Sequence, residues 1–120
     1  MSDSVSSPKA LAAMGRFQEA IVALIRSRRE KSSSITATEQ LEFAELFERT
    51  GQLADAKIHL SAVKQNSRLS DAERARCLLV EGLLAKQLGH LEESIDRFRE
   101  GCRLAERAQG LLNFGAGFLP

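Results

Sequence analysis

Few side chains in this 120-residue chain could carry chemistry, since it holds two histidines, two cysteines and no tryptophan or tyrosine. His59, His90, Cys77 and Cys102 are the soft metal ligands. None pairs with another as CxxC or HxxxH, the local spacings that bring two ligands to one ion, so no metal site is expected. His90 follows a glycine and is expected in solvent, whereas His59 falls inside a helical segment, on its surface or partly packed. The two cysteines are expected to behave as small apolar residues in a reduced, cytoplasmic setting.

Acidic residues occur in groups, Glu42, Glu45 and Glu48 in one segment and Glu92 and Glu93 in another. Acid–base catalysis would need such a group buried and its pKa values split. Here Glu45 stands four residues before Arg49, and Glu93 four before Arg97, the spacing of ion pairs on a solvated helix face. No phosphate loop, nucleophile elbow or dinucleotide fingerprint is present, so the expectation is no enzyme and no cofactor. Arg26, Arg28, Arg29 and Lys31 form the one basic cluster. Cations suit a helix C-terminus, where carbonyl dipoles point outward. The alternative is a nucleic-acid contact, but no aromatic residue is interleaved to stack on bases.

The elements that position these residues follow from composition. Seventeen basic against sixteen acidic residues give a net charge of +1, so no overall field attracts nucleic acid or an anionic membrane. Neither is expected as a partner. No apolar run approaches the ~18 residues that suggest a bilayer span. Met1–Ser7 lacks the basic start and apolar segment of a secretory signal. The two prolines, Pro8 and Pro120, lie near the ends, and Ala, Leu, Glu and Arg are abundant. These are good helix formers, and the fold class is all-α.

The chain also repeats itself. Gly15-Arg16-Phe17-Gln18-Glu19-Ala20 recurs as Gly51-Gln52-Leu53-Ala54-Asp55-Ala56 and as Gly89-His90-Leu91-Glu92-Glu93-Ser94, at intervals of 36 and 38 residues. A large apolar residue, Leu24, Leu60 or Phe98, stands nine residues after each glycine. Each glycine is expected to end one helix in a left-handed conformation before the next begins. Thr36-Ala37-Thr38-Glu39 and Ser70-Asp71-Ala72-Glu73 read as capping boxes, and Ser7-Pro8 as a helix start. The spacing predicts helices over 8–29 with a break near Gly15, then 37–50, 53–65, 71–88 and 91–109. Apolar spacing puts Phe17, Ile21, Leu24 and Ile25 on one face, and Leu91, Ile95, Phe98 and Leu104 on another. Residues 1–7 are expected to be disordered. Residues 110–120 are expected to be an apolar tail without stable helix that packs on its own chain or on a second copy.

This pattern over residues 10–108 resembles the tetratricopeptide repeat. The resemblance implies a short right-handed α-solenoid of stacked antiparallel helix hairpins, here about two and a half repeats over 8–109. It places Ala44 and Gly82 at close crossings in first helices, and Ala20, Ala56 and Ser94 in second helices, with Gly15, Gly51 and Gly89 at the turns. It departs from the family in lacking the proline after each second helix, and an ordinary helical bundle is the alternative. The resemblance further implies a protein-interaction module. Its groove would be lined by Leu41, Glu45, Glu48 and Arg49, then by Arg76, Leu79, Leu83 and Lys86. For Leu79 and Leu83 the competing expectation is burial against a neighbouring helix. Two other functions stay open: an assembly unit that self-associates as a homodimer or belongs to a longer array, and an accessory nucleic-acid-binding domain using the basic cluster.

Overall fold

The computed structural model describes residues 7–31, 34–66 and 68–115. Among these the protein is all-helical: α1 (Pro8–Ala13), α2 (Phe17–Glu30), α3 (Ala37–Arg49), α4 (Leu53–Lys64), α5 (Asp71–Gln87) and α6 (Leu91–Gly115). No strand occurs among them, and none of their helices is long and apolar enough to cross a membrane. Of residues 1–7, expected to be disordered, Ser7 is ordered as the cap of α1, and 1–6 lie outside the described residues, as do residues 116–120 of the tail.

Helix starts obey local hydrogen-bonding rules. Ser7 Oγ accepts from the Ala10 amide, with Pro8 at the first helical position, where its missing N–H costs nothing. Thr36 and Ser70 accept from the amides of Glu39 and Glu73, and each glutamate accepts in return from the cap's own amide. Both capping boxes are therefore formed. The three repeat glycines share one turn geometry, with φ of 78°, 78° and 83° at Gly15, Gly51 and Gly89. The amide after each glycine donates five residues back, Arg16 to Leu11, Gln52 to Phe47 and His90 to Ala85, at 2.9, 2.8 and 2.8 Å. This bond satisfies a carbonyl that the ending helix would leave orphaned, and it needs a left-handed residue before it. The carbonyls of Arg16, Gln52 and His90 then accept the first bond of the next helix, from Ala20, Ala56 and Ser94.

Helix α6 corrects the expected tail. It continues to Gly115, through Gly110, instead of stopping at Gln109. One glycine costs a helix only about 1 kcal/mol, too little to end one that is already propagating. The backbone of 110–115 is thus helical, and the expected packing of the tail's side chains falls outside the described residues.

The chain divides into two units, Met1–Val63 and Lys64–Pro120. In the first, Leu11 of α1, Ala20, Ile21 and Leu24 of α2, and Phe43 and Leu46 of α3 form a buried cluster, flanked by Phe17, Ile35 and Phe47. Ala44 and Ala56 are also fully buried. In the second, α5 and α6 form an antiparallel hairpin. At Gly82 the α5 surface is filled by a side chain of α6: an added Cβ would lie 2.6 Å from Cε1 and 2.7 Å from Cδ1 of Phe98. Ser94 Oγ donates to the Gly82 carbonyl at 2.9 Å from within this contact. Small residues at 82, 94 and 101 let the backbones meet, and Phe98 fills the space that the glycine leaves.

Candidate interaction surface

Sequence-nominated surface residues separate into buried and accessible sets. On α3, Leu41 is 0% exposed and Glu48 7%, so neither offers a surface to a partner. The helix is apolar around much of its girth, with Leu41 buried alongside Phe43, Ala44 and Leu46, and residues expected to face outward are covered. Glu45 is partly exposed and Arg49 exposed. The Arg49 guanidinium sits 5.8 Å from the Phe17 ring centre, a cation–π contact, and its Nε lies 4.0 Å from Glu48.

The α5 residues remain accessible. Leu79 is 38% exposed, Lys86 is exposed, and Arg76 and Leu83 are partly exposed. Offsets of three, seven and ten residues put all four on one side of the helix. The buried residues Ala75, Cys77, Val80, Leu84 and Ala85 occupy the rest. This face therefore presents two leucines between two cations, a surface able to hold an apolar side chain beside an acidic one.

The basic cluster is largely engaged within the chain. Glu39 accepts from Lys31 Nζ at 2.8 Å, from Arg28 Nη1 at 2.9 Å and from the Thr36 amide at 2.9 Å. Its side chain is 11% exposed and that of Arg28 17%. The hydrogen bond from the Lys31 ammonium, then that from the Thr36 amide, hold the Glu39 carboxyl down at about 2; burial opposes them, and the Arg28 charge adds a smaller lowering effect. Arg28 and Lys31 thus join the end of α2 to the start of α3. Arg26 and Arg29 are the exposed remainder.

His59 belongs to a cluster that sequence reasoning missed. Its ring stacks on Phe43 and Phe47, with centroids 5.0 and 5.4 Å away, and its Nδ1 lies 2.6 Å from Gln40 Oε1. Burial lowers the His59 pKa, and Asp55 partly opposes this. The available signal was Phe43 and Phe47 four residues apart on one face of α3. Cys77 is buried as expected, but Cys102 is exposed. Among the described residues no group of three or more His, Cys, Asp or Glu could hold a metal ion.

The outward face of α6 is a second departure. Leu91 and Ile95, expected to face inward with Phe98 and Leu104, are 62% and 49% exposed. Of that set Leu104 is buried, and α6 otherwise buries the small residues Ser94 and Gly101. Apolar periodicity marks the large residues, whereas the hairpin selects the small ones that permit close approach. Ile25 on α2 is likewise exposed. Comparison of the chain with protein-family models, curated proteins and solved structures gave no match.

Proposed function

We propose that this protein is a non-catalytic interaction module, a short array of tetratricopeptide-like helix hairpins that holds a partner segment against the exposed face of α5. The observation that carries this reading is the turn repeated three times with one hydrogen-bonding pattern, each followed five residues after the glycine by a buried small residue, Ala20, Ala56 or Ser94. Repetition of a hairpin with small crossing residues is how stacked arrays build extended binding faces. Arg76, Leu79, Leu83 and Lys86 supply the contact. Two leucines flanked by cations suit a helical or extended segment that carries apolar and acidic side chains. Engagement of Arg28 and Lys31 by Glu39 favours a protein partner over nucleic acid.

Replacing both Leu79 and Leu83 by Glu tests the reading, because the change reverses the character of the face at two residues that remain accessible. Affinity capture from the native lysate, quantified by mass spectrometry, should recover a partner with the parent and lose it with the double variant while the circular dichroism spectrum shows both to be folded. Equal recovery by a well-folded double variant would overturn it.

A further inference from the structure

Helix α6 carries Leu91, Ile95, Phe98 and Cys102 at spacings of four, three and four residues. That is the register in which a second helix packs lengthwise. The stripe borders the face that α6 turns to α5 through Ser94 and Gly101; Phe98, half-buried, lies with part of its ring against Gly82, and Leu91, Ile95 and Cys102 are exposed. Its two borders differ. Toward α5 they are Ser94, Gly101 and Ala108, which are uncharged, and on the open side Glu92, Arg99 and Glu106. Among the described residues neither Glu92 nor Arg99 has an ion-pair partner.

We infer that the stripe is a homodimer contact: a second copy of this chain lays its own α6 antiparallel on it across a two-fold axis. The charges select both direction and register. With Ile95 opposite Phe98 of the partner subunit, and Leu91 opposite Cys102 of the partner subunit, all four apolar residues are matched. In that alignment Glu92 meets Arg99 of the partner subunit, and the two-fold axis creates the pair twice. Sliding the partner by one heptad sets Arg99 against its own counterpart and Glu92 against the partner's Glu106, which repels at both points. A parallel alignment puts the charged border against the uncharged one and gains no pair. The contact runs along only three turns, well under the ~1,200–2,000 Å² of a stable interface. It is a weak, concentration-dependent association, and it uses no residue of the α5 face.

Engineered cross-linking tests the geometry. Leu91→Cys in the full chain places a thiol opposite Cys102 of the partner subunit. Within one chain the same residues lie about 16 Å apart along the helix, too far for a disulfide. Mild oxidation at high protein concentration should yield a disulfide dimer that adding Cys102→Ser abolishes, whereas the parent cross-links poorly through Cys102 alone. Cys77 is buried and does not compete. No dimer from a folded Leu91→Cys variant, or equal dimer from the parent, would overturn the antiparallel contact. Charge reversal gives an independent readout in sedimentation equilibrium. Arg99→Glu should weaken association several-fold, and the swap Glu92→Arg with Arg99→Glu should restore it. Identical masses for the parent, the single variant and the swap would refute the register. Neither outcome bears on Leu79 and Leu83, so failure here leaves the α5 reading to its own test.

Discussion

Gly82 is where the hairpin of α5 and α6 is most sensitive to a single atom. A Cβ added there would meet Cε1, Cδ1 and Cζ of Phe98 at 2.6, 2.7 and 3.0 Å. Ordinary carbon contacts lie at about 3.5–4.0 Å, so the ring must move by roughly 1 Å or the helices must part. Parting them strains the bond from Ser94 Oγ to the Gly82 carbonyl, which lies in the same contact. Overpacking of this kind costs about 1–3 kcal/mol. Alanine returns about 1 kcal/mol of helix propensity relative to glycine. The net expectation for Gly82→Ala is a loss of about 0–2 kcal/mol, and for Gly82→Leu at least the upper part of the overpacking range. The assay is urea unfolding followed by circular dichroism, where 1 kcal/mol moves the midpoint by about 0.3–1 M. Trimming the ring with Phe98→Leu should relieve the clash, so that the pair shows a coupling of about 1 kcal/mol or more in a double-mutant cycle. If Gly82→Ala instead stabilises by about 1 kcal/mol, as at an unhindered helix position, the close approach does not exist.

The turn glycines should behave differently from Gly82. An added Cβ at Gly51 or Gly89 meets nothing within 4 Å, yet both have positive φ, so alanine at either should cost about 1–2 kcal/mol through backbone conformation alone in urea unfolding. For Glu39 the folded carboxyl is held at about 2 against about 4.3 in the unfolded chain, so its contribution is complete above the higher value and lost as pH falls toward the lower. Glu39→Gln should therefore flatten the acid limb of the stability–pH curve, measured by unfolding across the acid range. His59 has a folded pKa below its unfolded value of about 6.5, so the unfolded chain binds the proton first and stability falls as pH drops below that value. An NMR titration of the His59 ring should give a midpoint under the unfolded value, and a midpoint above it would contradict the stacked, partly buried setting.

Much of the fold is legible locally. Ser7, Thr36 and Ser70 announce helix starts because a hydroxyl there can satisfy an amide that the helix leaves orphaned, and Gly15, Gly51 and Gly89 announce stops because few other residues adopt their conformation. The small residues at 20, 44, 56, 82 and 94 are all buried. The surface was less legible. Leu41 of α3 and Leu79 of α5 are the same residue type, yet one is buried and the other open, and only tertiary packing decides which. On α6 the hydrophobic pattern names Leu91 and Ile95, but packing is governed by Gly82, Ser94 and Gly101, whose value lies in what they lack. The extension of α6 past Gln109 was hidden because glycine marks both ends and tolerated interiors. The stacking of His59 on Phe43 and Phe47 joins α3 to α4, and no single-helix pattern encodes it.

The central claim, that partners are held on the exposed face of α5, is tested most directly by site-specific photo-cross-linking in the cell of origin. A photoreactive amino acid would replace Leu79 or Leu83 in turn, with Ser61, exposed on α4, as the control position. Discrete cross-linked adducts with the same partner are expected from 79 and 83 and none from 61. Adducts equal at all three positions, or absent at 79 and 83 in a folded protein, would contradict it.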